Sequence, residues 1–186
     1  MTDLREVFVS VDVETAGPIP GEFSLLSIGA CAAFQPEKTF SCELKPINGN
    51  ADAEALAVSG FSLDELTRTG LSPTAAMTCF GDWLSTLARP DDTLVFVGFN
   101  APFDWSFVNY YFHRFAGANP FGFAALDIKA LYMGATGCSW RDTRSSKISE
   151  RLRPELKGTH DALDDALYQA EMFRLTFSKI INRARG

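Results

Sequence analysis

Residues 8–17 read FVSVDVETAG, an apolar, β-branched run that meets two acids, Asp12 and Glu14, with one valine between them. Residues 6–14 alternate and then fill with β-branched and aromatic types, as a central strand does. Successive side chains of a strand point to opposite faces, so Asp12 and Glu14 share one face at the strand's end. Two carboxylates at that range repel. Either a cation sits between them, or one titrates high, or the pair is solvated.

Outward from this strand, TAGPIPGEF (15–23) is a loop by its Gly and Pro content. Residues 24–34 and 38–46 are two further apolar or alternating runs, and the QPE between them predicts a hairpin. After Pro46 come two short helical pieces closed by Gly60 and Gly70. A longer helix over 72–88 opens on a Ser-Pro start signal. TLVFVGFN (93–100) is a strand, followed by an aromatic-rich helix with Pro102 in its first turn. A short strand over 123–127 runs into IKALYMGA, residues 136–147 read as an exposed irregular loop, and 160–184 form a long closing amphipathic helix. Three opening strands followed by alternating strands and helices predict one three-layer α/β domain over 1–186, with a mixed sheet.

Composition narrows the class. A chain of 186 residues with 46% hydrophobic content buries a core without disulfides. Cys31, Cys42, Cys79 and Cys138 are too widely spaced for a C-x-x-C pair, and mostly apolar neighbours mark them as reduced core thiols, so neither a zinc site nor a disulfide framework is expected. The apolar runs stop well short of the ~20 residues of a membrane span, and MTDLREV lacks the order of a signal peptide, so a cytoplasmic location is expected. The net charge of −6 argues against a non-specific nucleic-acid coat, although bound metal or local cations can still supply a positive field at one site.

Two other places carry acids where strands meet helices, the position at which α/β sheets gather ligands. Asp104 falls in the first turn of the helix after GFNAPF, where the helix dipole alone would also favour it. THDALDDALYQA places His160 and three aspartates at the start of the last helix. The dipole accounts for Asp161. Asp164 and Asp165 lie on opposite flanks of the stripe formed by Leu163, Ala166, Leu167, Ala170 and Phe173, so geometry does not choose between them. Asp127, another acid at a strand end, is explained by capping the next helix.

With these motifs in order, VDVETAG, GFNAPFDWSF and HDALDDALYQAEMF, the sequence resembles the DEDD-type 3′–5′ exonucleases of the ribonuclease H-like fold, in the histidine-containing subgroup of proofreading subunits, ribonuclease T and oligoribonuclease. The resemblance covers nearly the whole chain. It implies a five-stranded mixed sheet with helices on both faces, and it makes Asp12, Glu14, Asp104 and Asp165 the metal-binding acids and His160 the general base. The family's histidine-to-aspartate spacing selects Asp165 over Asp164. SLLSIGA and VSGFSLDEL also match the family's second strand and small helical hinge. Phe99, where many members carry histidine before the asparagine, is a departure that touches no implied ligand.

The resemblance implies release of nucleoside 5′-monophosphates from DNA or RNA 3′ ends. Four carboxylates suit Mg²⁺ or Mn²⁺, hard ions that prefer oxygen. Two such ions about 3.5–4 Å apart stabilise the attacking and leaving oxygens of an in-line displacement. On that reading Asp12 bridges the ions, Glu14 and Asp165 serve the one carrying the attacking water, and Asp104 acts largely through water on the other. Phe23, Leu25 and Phe103 are candidates to stack or wedge terminal bases, with plain core packing as the alternative for each; Thr15 and Asn100 join them as substrate-binding candidates. The expected partner is a single-stranded 3′ end, and stand-alone members often form homodimers. Two rivals differ in class. A haloacid-dehalogenase-type phosphatase would use Asp12 as a covalent nucleophile but expects Asp where Glu14 stands and a late acidic pair on a loop. A non-catalytic nucleic-acid- or polymerase-binding module would normally have lost one of these five residues.

Overall fold

The computed structural model describes the backbone of residues 5–185 and the side chains of 5–181; the first four residues, which belong to the stretch read for a leader, lie outside the described residues. Five strands form one mixed sheet in the order β3-β2-β1-β4-β5. They are β1 (Glu6–Thr15), β2 (Leu25–Ala32), β3 (Gln35–Glu43), β4 (Thr93–Gly98) and β5 (Ala125–Asp127). β2 runs antiparallel to both β1 and β3, whereas β4 and β5 run parallel to β1. The predicted hairpin exists, but its turn is Ala33–Phe34 and the Gln-Pro-Glu segment begins β3. The ladder slips at Cys31/Ala32, which lets the chain reverse two residues earlier than the Pro signal suggests.

Alternation in β1 divides the core. Val9, Val11 and Val13 enter the larger cluster, against α3 (Pro73–Leu87) and α4 (Pro102–Tyr111). α3 starts at Pro73 with the Ser72 hydroxyl capping Ala75, and it buries Ala76, Phe80, Leu84 and Leu87 at helical spacing. Phe80 stacks on Phe40 and Phe112, pairs worth about 0.5–1.5 kcal/mol beyond the area they bury. The even-numbered side chains of β1 face the opposite way, where Phe8 packs with Val97, Ile128 and Phe173 under α5 (Ile128–Thr136) and α7 (Ala162–Arg185). The short helices α1 (Ala53–Ser59) and α2 (Leu63–Thr69) cover a third, smaller cluster around Ala16, Leu26 and Leu66.

Three boundaries differ from the sequence reading. The expected loop over 136–147 contains a 3-10 turn at Trp140–Thr143 and the start of α6 (Ser145–Leu152). Its few apolar residues hid it: Ile148 is buried, Leu152 one turn on is half-buried, and Ser145 and Ser149 bond the Tyr168 hydroxyl on α7. The aromatic helix ends in a π-helical turn at Phe112–Ala116. The last helix begins at Ala162, after a left-handed His160 (φ 62°), so His160 precedes it. Of the free thiols, Cys31 is buried, Cys42 and Cys138 are half-buried, and Cys79 is exposed on α3. No helix among the described residues is long and apolar enough to cross a membrane.

One contact fixes where α7 meets the sheet. Asp12 pairs with Gly29 across the β1–β2 ladder, and Gly29 lies directly beneath the start of α7. A Cβ on Gly29 would stand 2.1 Å from the Ala162 carbonyl carbon and 2.2 Å from the Leu163 nitrogen. Backbone cannot yield as a flexible side chain can. Gly29→Ala is therefore expected to cost at least about 1–3 kcal/mol, the usual range for overpacking, in denaturant unfolding, and to lift α7 away from β1. An unchanged unfolding midpoint would show that this approach is not required.

Candidate active site

β4 pairs with β1 only as far as Ser10 and turns away after Gly98. The N–H of Val13, three residues further along β1, then has no strand beside it, and the carboxylate of Asp104 accepts that hydrogen at 3.1 Å. The departure of β4 thus creates the place that Asp104 fills. Pro102 starts α4 and the inward line Asp104, Phe107, Val108, Tyr111 anchors it, so the carboxylate is fixed at the sheet edge with 5% exposure. Asn100 makes the intervening turn with φ 68°, a conformation asparagine tolerates better than most residues.

Asp12 and Glu14 face α7, as their i, i+2 spacing requires. Ligand oxygens of Asp12, Glu14 and Asp165 all lie within 4.8 Å of one another, a grouping able to hold a cation. Asp165 is presented by a backbone nest: its two oxygens accept the Thr159 N–H at 2.7 Å and the His160 N–H at 3.2 Å. Gly158 leaves room for that nest, since a Cβ there would stand 2.9 Å from Asp165 Oδ1. Asp164 points elsewhere, accepting from the Thr159 hydroxyl, and Asp161 caps α7 by accepting from the Leu163 and Asp164 amides. Hence Asp165 joins the cluster and Asp164 does not, and the late acidic pair sits inside a helix, unlike that of the phosphatase alternative. His160 is exposed at the rim and is tied to Asp165 through its backbone amide.

One residue of this site escaped the sequence reading. Gln169, one turn past Asp165, is buried at 5% exposure. Its carbonyl accepts the Phe99 N–H at 2.7 Å and its amide nitrogen donates to Asp12. The first bond fixes which end of the amide meets Asp12, so a donor always faces that carboxylate. The available signal was a polar residue one turn beyond Asp165, beside the apolar stripe, in a helix whose charged residues otherwise point outward. Asp127 caps α5 as expected and also accepts the Ala101 N–H, tying β5 to the same turn.

The base-contact candidates separate. Leu25 is fully buried in the main core and offers no surface to a ligand, which corrects its candidacy in favour of plain packing. Phe23 is half-buried against Gly17 in the cluster under α1 and α2, and Phe103 is half-buried with its ring 5.4 Å from that of Phe107. The Thr15 hydroxyl is engaged by the Gly17 carbonyl, while Asn100 is exposed and accepts from Lys129.

Electrostatically the cluster is frustrated. Burial first, then repulsion from Asp104, Asp165 and Glu14, holds the Asp12 carboxyl well above the ordinary carboxylate range, against the opposing bond from Gln169. Burial, with Asp165 and Asp161, raises Glu14 to about 7; burial raises Asp104 to about 8 although Val13 bonds its charged form. Among the described residues no lysine or arginine forms an ion pair with any of the four acids.

With this geometry in view, the likeness to known proteins becomes specific. Residues 9–173 match the exonuclease family. The chain belongs to that family. It is an exonuclease, a hydrolase of phosphodiester bonds. Its sequence is 59% identical over 171 residues to the 3′-5′ DNA exonuclease Cap18 of Escherichia coli, covering 92% of this chain and 91% of that one. The fold is shared with the nuclease domain of 3′hExo, a DEDDh family member bound to rAMP, at a TM-score of 0.75 and 16% identity over 96% of this chain and 95% of that one. It is shared too with E. coli Exonuclease I in complex with a dT13 oligonucleotide, at 0.73 and 17% identity over 97% of this chain but 43% of that one. Cell-death related nuclease 4 gives 0.70 at 17% identity over 96% of this chain and 64% of that one. This chain therefore spans less than two thirds of the last two proteins.

The raised carboxyls yield a signed expectation. A carboxyl that titrates higher in the folded than in the unfolded chain favours folding while protonated, and loses that contribution as pH rises through its folded value. With Glu14 near 7 and Asp104 near 8, the metal-free protein is expected to lose thermal stability between about pH 4 and pH 8. Asp104→Asn, which keeps an acceptor for Val13, should flatten the fall. Melting curves in EDTA across that range check this, and a melting temperature that climbs towards pH 8 would contradict it.

Proposed function

We propose that this protein is a 3′–5′ exonuclease that removes nucleoside 5′-monophosphates from the 3′ end of single-stranded DNA, with Asp12, Glu14, Asp104 and Asp165 holding two Mg²⁺ or Mn²⁺ ions and His160 acting as general base. The observation that carries the reading is the convergence of Asp12, Glu14 and Asp165 oxygens within 4.8 Å, with buried Asp104 beside them. The fit of a cation rests on this site's own chemistry: hard oxygen donors, raised titrations and, among the described residues, no lysine or arginine ion-paired to the acids. The choice of DNA follows the 59%-identical relative, whose name specifies it.

When bound, two divalent ions supply the charge that stabilises the attacking and leaving oxygens of the phosphodiester. The chain's own residues do the rest. Gln169 keeps one Asp12 oxygen hydrogen-bonded, which fixes the plane in which the other presents itself. The nest at Thr159 and His160 does the same for Asp165. The imidazole of His160 takes the proton from the attacking water as the phosphorus–oxygen bond forms, and the 3′-oxygen leaves with the shortened strand. Because the His160 amide is itself bonded to Asp165, the base moves by rotation of its exposed side chain alone, which leaves the acid in place.

A 5′-labelled single strand should shorten progressively with Mg²⁺ or Mn²⁺ and stay intact in EDTA. In the same assay Asp12→Ala should abolish turnover with the fold retained, Asp165→Ala should lose far more than Asp164→Ala, and His160→Ala should lower kcat by about 10²–10⁴-fold. Release of the 5′ label first, full activity in chelator, or equal loss at positions 164 and 165 would each overturn the assignment.

A further inference from the structure

Between residues 129 and 157 this acidic chain carries seven Lys/Arg against three Asp/Glu. That segment opens at the active-site rim. β1, β4 and β5 are parallel neighbours, so Asp12 and Glu14, Asn100, and Asp127 stand at the same end of adjacent strands. At about 4.8 Å per strand, the end of β5 lies roughly 10 Å from that of β1. Lys129, in the first turn of α5, donates from Nζ to Asn100 Oδ1 at 3.3 Å, and the same ammonium lies 4.5 Å from the centre of the Trp140 ring. Contacts are then continuous from the acids to the indole: Asp12 to Gln169, Gln169 to Phe99, its neighbour Asn100 to Lys129, Lys129 to Trp140.

Trp140 is 55% exposed. Removing so large an apolar ring from water is favourable, and here the ring is held in place by a cation on one side instead of being folded into the core. An indole with an adjoining ammonium, followed in sequence by exposed Arg141, Arg144 and Lys147, matches a single-stranded nucleic acid: the base stacks on the ring and the phosphate meets the cation. Stacking of this kind is indifferent to base identity, as an enzyme that shortens a strand residue by residue requires.

We propose that Trp140 and Lys129 form a subsite for the substrate strand upstream of the scissile bond, Trp140 stacking a base and Lys129 binding the adjoining phosphate. This rests on the exonuclease reading above and deepens it, since it supplies the positive, aromatic surface that the acidic centre lacks. Its test is steady-state cleavage of a 5′-labelled oligo-dT of about 20 nucleotides at several salt concentrations. Trp140→Ala should raise KM about 5- to 100-fold while kcat changes less than twofold, and Trp140→Phe should recover most of the loss. Lys129→Ala should lower the slope of log KM against log salt by about 0.7, the signature of one lost phosphate contact on a single strand. A KM within twofold of the unmutated protein for Trp140→Ala, or an unchanged salt slope for Lys129→Ala, would overturn the subsite and leave the exonuclease standing. Failure of the unmutated protein to cut the strand with Mg²⁺ or Mn²⁺ would overturn both.

Discussion

Repulsion among Asp12, Glu14, Asp104 and Asp165 is the constraint around which the rest of the structure is arranged. Like charges in a low-dielectric setting separate unless the backbone forbids it, and here three features forbid it. Gly29 admits the start of α7 against β2, opposite Asp12. The early departure of β4 leaves the Val13 amide for Asp104. The nest before α7 grips Asp165. A site built at such electrostatic cost is a centre waiting for positive charge. Gln169 belongs to the same logic, since it gives Asp12 a neutral donor where a lysine would have cancelled the field that attracts a metal.

The same frustration explains how an acidic protein approaches a polyanion. On the proposed reading, cations at the acids would reverse the local potential, and the segment from Lys129 to Lys157 adds basic residues after β5. The aromatic residues divide between two tasks. Most of the 16 phenylalanines fill the two large clusters, whereas Trp140 stays at the surface under Lys129.

Much of this was legible in the sequence because the signals were local. Alternation in 6–14 gives β1 and the shared face of Asp12 and Glu14, and Pro102 gives the start of α4 and the place of Asp104. Capping accounts for Asp127, as its bond to Ala130 bears out; Asp161, read as a dipole-favoured acid at the helix start, also caps α7 through the Leu163 and Asp164 amides. What stayed hidden depends on distant contacts. Helical projection could not choose between Asp164 and Asp165, which only the family spacing separated; the physical ground is the loop at 158–160 wrapping one carboxylate. α6 was missed because a polar helix is held by Ile148, Leu152 and the Tyr168 hydroxyl instead of by a broad apolar stripe. Leu25 looked available beside the acids, but its strand is covered on both sides.

Whether the acid cluster holds metal is decided by anomalous diffraction from crystals grown with Mn²⁺ at a concentration that supports cleavage. Two manganese peaks about 3.5–4 Å apart are expected among Asp12, Glu14, Asp165 and Asp104, with Asp12 contacting both. Manganese bound only elsewhere, for instance at the exposed Asp161 and Asp164, with the four acids unliganded, would contradict the proposed metal centre.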